Sequence, residues 1–142
     1  MDETLLLDHI RWAEGLRLEP YRDSVGKITI GYGRNLDDKG IRQGEAEFML
    51  RNDVQDALKD ARTLPYWDHI GPVRQMVIAD MVFNMGLTKL RGFVNMNLAL
   101  EHQDYNAAAF ELKDSKYYRD RATHLRASRN YKAMLTGIWE PA

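Results

Sequence analysis

A chain of 142 residues, 44% hydrophobic and 29% charged, has the makeup of a folded globular protein, one domain or two small lobes sharing a core, and not of a disordered segment. The net charge of −1 gives no electrostatic case for nucleic acid or for anionic membranes. Cysteine is absent, which excludes a disulfide framework, and no apolar run approaches the length of a membrane-spanning helix. Met1-Asp-Glu-Thr4 is acidic where a secretory leader carries basic residues, and Leu5–Leu7 is too short for its apolar region. Synthesis and folding in a reducing cytoplasm are therefore expected.

In chain order, Leu6, Leu7, Ile10 and Ala13 recur at helical spacing, which predicts a helix over Thr4–Ala13 stopped by Gly15. Leu16–Gly33 is the one β-rich part, two extended runs around a Ser24-Val-Gly26 turn. In the second run Ile28, Ile30 and Tyr32 alternate with Lys27, Thr29 and Gly31; with the isoleucines in a core, Thr29 faces out of it. Asn35–Gly44 is polar and glycine-bearing and reads as a loop. Ala46, Leu50, Asp53, Ala57, Ala61 and Leu64 set a long helix over Gly44–Arg62, with Arg42 and Gly44 as indifferent caps.

Pro65 ends that helix, and Pro72 opens another through Val73, Met76, Val77, Met81 and Met85 to Gly86. Shorter helices are predicted around Asn95–Glu101, Asp104–Leu112 and Ser115–Tyr118, and a last one from an N-cap at Thr123 to Leu135, with Gly137 beyond it. The methionines at 76, 81 and 85 read as core filler, and Trp12, Trp67 and Trp139 as packing residues. Arg119, Arg121, Arg126, Arg129 and Lys132 read as a solvated helix face. The fold class is α+β and mostly helical. One domain over 1–142 is expected, with a small β-containing N-terminal lobe (about 14–44), a connecting helix (about 44–62) and a helical lobe (about 65–142, plus the N-terminal helix).

The run Glu14-Gly-Leu-Arg-Leu-Glu-Pro-Tyr-Arg-Asp23 puts one carboxylate where a helix stops and a second in the loop that follows. Thr29 then presents a hydroxyl from Lys27-Ile-Thr-Ile-Gly-Tyr-Gly33. Glycoside hydrolysis uses such a set: an acid for the leaving oxygen, and a carboxylate on the other side of the sugar. Taken singly, Glu14 is an ordinary surface helix residue, Asp23 a turn former and Thr29 a β-strand residue. Jointly, and residue by residue, the run resembles the catalytic stretch of the T4-type phage lysozymes, the family 24 glycoside hydrolases. Met81-Val-Phe-Asn-Met-Gly86 and Gly92-Phe-Val-Asn95 are similar to that family's central helix and the loop after it. Ser115-Lys-Tyr-Tyr118, Arg126-Ala-Ser-Arg129 and Thr136-Gly-Ile-Trp139 are similar to its C-terminal elements, in the family's order. The segment after Gly33 is shorter than in the T4-type enzyme, which implies a trimmed small lobe.

The resemblance implies a two-lobe lysozyme-like fold and a role for each matched residue. Glu14 becomes the general acid, at a helix C-terminus whose carbonyl dipoles disfavour a negative charge. Asp23 aligns and activates a water beneath the sugar ring, and Thr29 holds that water. Arg126 corresponds to the Arg of the last helix that the family pairs with the acid. The family's His after Gly-x-Gly, paired with an Asp on the long helix, becomes Arg34 here, with Asp53 as the expected partner. Asn35, Phe83, Asn84, Met96, Glu111 and Tyr117 are the implied substrate contacts, although a phenylalanine on an amphipathic helix is more often core. Met96 and Glu111 stand where the relative carries smaller or neutral polar residues.

The implied activity is that of a phage or prophage endolysin, a muramidase that cleaves between N-acetylmuramic acid and N-acetylglucosamine in peptidoglycan by an inverting acid/base mechanism without cofactor or metal. A monomer is expected, released to the periplasm by a separate membrane-permeabilising protein, a holin. Three alternatives stand beside it. A zinc amidase needs three ligands, and His9, His69, His102 and His124 lack paired spacing. A non-catalytic glycan-binding protein would have no use for all of Glu14, Asp23 and Thr29. A lytic transglycosylase would dispense with Asp23.

Overall fold

In the computed structural model, which describes residues 1–141, the first helix begins at a side-chain cap. The Asp2 carboxylate accepts hydrogen bonds from the backbone N–H groups of Thr4 (2.9 Å) and Leu5 (3.2 Å), two of the donors a helix start leaves unsatisfied. Helix α1 runs Glu3–Glu14 and stops at Gly15, whose N–H donates to the Arg11 carbonyl. The chain forms two compact units, Met1–Met49 and the part from Leu50 onward.

In the first unit, strands β1 (Arg17–Arg22), β2 (Ile28–Gly31) and β3 (Arg34–Asn35) form an antiparallel sheet in that order. Tyr21 faces Thr29 and Arg22 faces Ile28, while Arg17 faces Gly31, so the register slips between Arg17 and Tyr21. Pro20 lies in that slip; it has no N–H to give to a ladder. Burial along β2 reverses the expected sense. Thr29 is buried, and Ile28 and Ile30 are half-buried. The reason is register: Thr29 lies at the centre of the middle strand, opposite Tyr21 on one side and Asn35 on the other, and directly opposed residues share a face.

The segment expected as a loop over 35–44 holds β3 and a short helix α2, Leu36–Lys39. Asn35 is the cause. Its side-chain oxygen accepts from the Asp38 N–H (3.0 Å) and its amide donates to the Asp38 carboxylate (2.9 Å). A single polar turn has no apolar periodicity, so only the cap could have shown it.

Helix α3 (Gln43–Ala61) passes from the first unit into the second. Its start is better capped than Arg42 and Gly44 suggest, because the Glu45 carboxylate reaches back to the Arg42 N–H at 2.7 Å, one half of a capping box. The second unit continues with a 3₁₀ turn at Trp67–His69, then α4 (Gly71–Met85), α5 (Leu87–Arg91), α6 (Val94–Glu101), α7 (Tyr105–Lys113), α8 (Lys116–Arg119) and α9 (His124–Thr136). Only the 3₁₀ turn and α5 have no sequence counterpart. Asp104 and Ser115 cap α7 and α8 with their side chains, whereas Thr123 precedes α9 without capping it and donates its hydroxyl to the Tyr117 carbonyl.

The core of this unit is Ala61, Ile70, Val77, Ile78, Met81, Leu90, Met96, Leu100, Leu112 and Met134, drawn from α3 to α9. Of the stripe on α4, Met81 is fully buried and Met76 exposed. Of the tryptophans, Trp67 is buried, whereas Trp12 and Trp139 are exposed, contrary to expectation. No helix among the described residues is long and apolar enough to cross a membrane.

Candidate active site

Glu14 is the last residue of α1, and its side chain reaches the turn after β2. A Cβ built on Gly33 would lie 2.7 Å from Glu14 Oε2 and 3.0 Å from its Cδ. The carboxyl group therefore rests directly on the Gly33 backbone. Gly33 has φ +77°, a conformation that glycine adopts without strain.

Asp23 is pinned by the turn it makes. Its Oδ1 accepts from the N–H groups of Val25 (3.0 Å) and Lys27 (2.8 Å), while its own N–H donates to the Lys27 carbonyl (2.9 Å). The structural and chemical readings of Asp23 are thus compatible: one oxygen builds the turn, and no hydrogen-bond partner is recorded for the other. Thr29 Oγ1 donates to the Lys27 carbonyl at 3.0 Å, so the hydroxyl and the Asp23 turn share Lys27. Thr29 is only 3% exposed. Asn35, a predicted contact, pairs with Thr29 across the ladder and spends its amide on α2.

Arg34 does not find its predicted partner in Asp53. Both of its terminal nitrogens meet the Glu45 carboxylate, at 2.9 and 2.7 Å, and the first also donates to the Gly40 carbonyl. The guanidinium and the Arg42 N–H together hold the Glu45 carboxyl down at about 2. The reason is reach: Glu45 sits in the first turn of α3, and Asp53, eight residues on, lies about 12 Å farther along the axis. The sequence signal was Arg42-Gln-Gly-Glu45, an acidic third residue after a helix start.

In the second unit, the carboxylate that Arg126 meets is Asp80 of α4. Nε and Nη2 bind it side by side, at 3.0 and 2.6 Å. Asn130, buried one turn farther along α9, donates to the same carboxylate (2.7 Å) and to the Tyr117 hydroxyl (3.2 Å). This network ties α4, α8 and α9 together, and Asp80 and Asn130 had no part in the sequence reading. The Asp80 carboxylate holds the Arg126 guanidinium more firmly protonated, and burial pushes the Tyr117 phenol up.

Tyr117 is buried in that network rather than presented at a rim, and Met96 is fully buried in the core at the floor of the groove it lines with Glu111. Met96 fills the space because α6 turns it inward with Leu100, four residues on. Phe83 and Asn84 are exposed. Phe83 lines a shallow cavity with Leu50, Val54, Ala57, Asp80 and Arg126. Glu111 is half-buried at a separate groove with Phe93, Asn95 and Asp114.

A first helix, a small three-stranded antiparallel sheet and a following helical unit make an α+β architecture consistent with a lysozyme-like fold. The match to the phage lysozyme family model spans residues 11–130, and the chain belongs to that family. It is 32% identical over 115 residues to an endolysin of Acyrthosiphon pisum secondary endosymbiont phage 1, covering 72% of this chain and 70% of that protein. It is 27% identical to a probable T4-type lysozyme of Dictyostelium discoideum, covering 92% of this chain and 93% of the other. It also shares 27% identity with the pre-baseplate central spike protein Gp5 of Enterobacteria phage T4, where 95% of this chain spans only 28% of that protein's length.

Proposed function

We propose that this chain is an endolysin that hydrolyses the bond between N-acetylmuramic acid and N-acetylglucosamine in bacterial peptidoglycan, with inversion and without cofactor. The observation that carries the reading is the Glu14–Asp23–Thr29 arrangement. The acid carboxyl is seated on the Gly33 turn, and the second carboxylate is fixed through one oxygen beside the Lys27 carbonyl that also orients the threonine hydroxyl. Glu14 protonates the leaving glycosidic oxygen. Asp23 takes a proton from water on the opposite face of the sugar, and Thr29 holds that water. A held water requires the wider carboxyl spacing of inverting enzymes, about 6.5–9.5 Å, and leaves no covalent sugar adduct.

In this reading the protein is a monomer, made in the host cytoplasm and acting in the periplasm once a separate holin has permeabilised the membrane. The names of the phage relatives support lysis as the setting.

Purified Gram-negative peptidoglycan digested with the protein tests the chemistry. Reducing muramic-acid ends, with the α anomer formed first from the β-linked glycan by NMR, are expected. Anhydro ends would make the protein a lytic transglycosylase, a first-formed β anomer would make it retaining, and intact glycan would refute the reading.

A further inference from the structure

We infer that Gly33 is a positioning residue for the acid: its missing side chain is the seat on which the Glu14 carboxyl rests. This rests on the reading of Glu14 as general acid, and it concerns what fixes that group in space. No hydrogen-bond or ion-pair partner of the Glu14 carboxylate is recorded among the described residues, so its placement depends on shape. A Cβ at position 33 would approach Oε2 to 2.7 Å, Cδ to 3.0 Å and Cγ to 3.5 Å. Ordinary contact begins at about 3.4 Å, so the carboxyl would have to retreat by about 0.7 Å.

The obstructed atoms are the far end of a flexible side chain. The folded chain absorbs the intrusion by swinging Glu14 aside, which perturbs the fold little. A general acid tolerates such a displacement poorly, since about 1 Å of misplacement costs on the order of 10²-fold in rate. The seat is itself anchored. Arg34, the next residue, is held by Glu45 and by the β3 ladder pairing with Ile30.

The same turn supplies its own control. Gly31 has φ +70°, nearly that of Gly33, but a Cβ there meets nothing within 4 Å. Alanine at either position must take up a positive φ of nearly the same value, and only at 33 does its Cβ strike the acid.

The test compares Gly31→Ala with Gly33→Ala on soluble peptidoglycan fragments, with melting temperatures and the carboxyl ¹³C shift of Glu14 as further readouts. The two variants should melt alike. Gly33→Ala should lose at least about tenfold more kcat than Gly31→Ala, with KM within about twofold, and it alone should move the Glu14 resonance. Should alanine prevent folding, Gly31→Asn and Gly33→Asn replace the pair, because asparagine tolerates positive φ better. Equal kcat in the two variants together with an unmoved Glu14 resonance overturns the inference. Full activity of Glu14→Gln overturns the acid assignment instead, and the resonance comparison still decides whether Gly33 seats the carboxyl.

Discussion

Arg34 and Glu45 are joined by two nearly parallel hydrogen bonds of 2.9 and 2.7 Å, which lock the end of the sheet to the first turn of α3. The Glu45 carboxyl, held at about 2 by Arg34 and the Arg42 N–H, lies below its ordinary 4.5. A depressed carboxylate contributes stability that is fully present above its unfolded value and is lost as pH falls through the folded one. The melting-temperature gap between the wild type and Glu45→Gln should therefore be constant above about pH 4.5 and close toward pH 2. A gap that closes instead between pH 5 and 8 would show that a histidine is involved. Both partners are substantially exposed, so the gap should shrink in high salt.

Glu14→Gln should fold with the wild-type circular dichroism spectrum and melting temperature, because no hydrogen bond to the carboxylate is lost. Lysis of outer-membrane-permeabilised cells should fall by about 10²–10⁴-fold, the usual contribution of a general acid. A folded variant retaining more than about a tenth of wild-type clearing would remove Glu14 from the mechanism.

Asp23 separates into its two roles by substitution. Asp23→Asn keeps an oxygen for the Val25 and Lys27 N–H groups, so the turn should survive while water activation is lost. Asp23→Ala removes the acceptor as well and should lower the melting temperature in addition to activity. Equal stability of the two variants would mean that the turn does not depend on the side chain.

Thr29→Val is nearly isosteric and suits a β-strand, but it deletes the hydroxyl that donates to the Lys27 carbonyl. Turnover should fall at least about tenfold with stability changed little, and Thr29→Ser should recover most of the rate. Failure of Ser to outperform Val would assign Thr29 to packing alone.

Asp80 should matter more for stability than for chemistry. Asp80→Ala leaves the Arg126 guanidinium without its acceptor and the buried Asn130 amide with only the Tyr117 hydroxyl, a loss of about 1–3 kcal/mol in urea unfolding. Asp80→Asn keeps one acceptor and should lose less. Equal losses would place the cost in packing and not in the hydrogen bonds.

Sequence alone determined the helices whose signals are local: the apolar spacing of α3 and α4, the stops at Gly15 and Gly86, and the short helices that begin near Asp104 and Ser115. It also determined the family, because the catalytic run and the blocks after it are contiguous in order. The partners of charged groups were not legible. Arg34 takes Glu45 instead of Asp53 because helical rise decides which carboxylate is within reach, and Arg126 takes Asp80 because α4 packs against α9. Burial likewise belonged to tertiary structure. Thr29 lies inward because two neighbouring strands flank it, and Met96 and Tyr117 are buried because helix rotation is set by all the surrounding helices. Local spacing encodes where an element begins and ends. Which atoms meet across elements is a sum over distant contacts, and only the folded chain evaluates it.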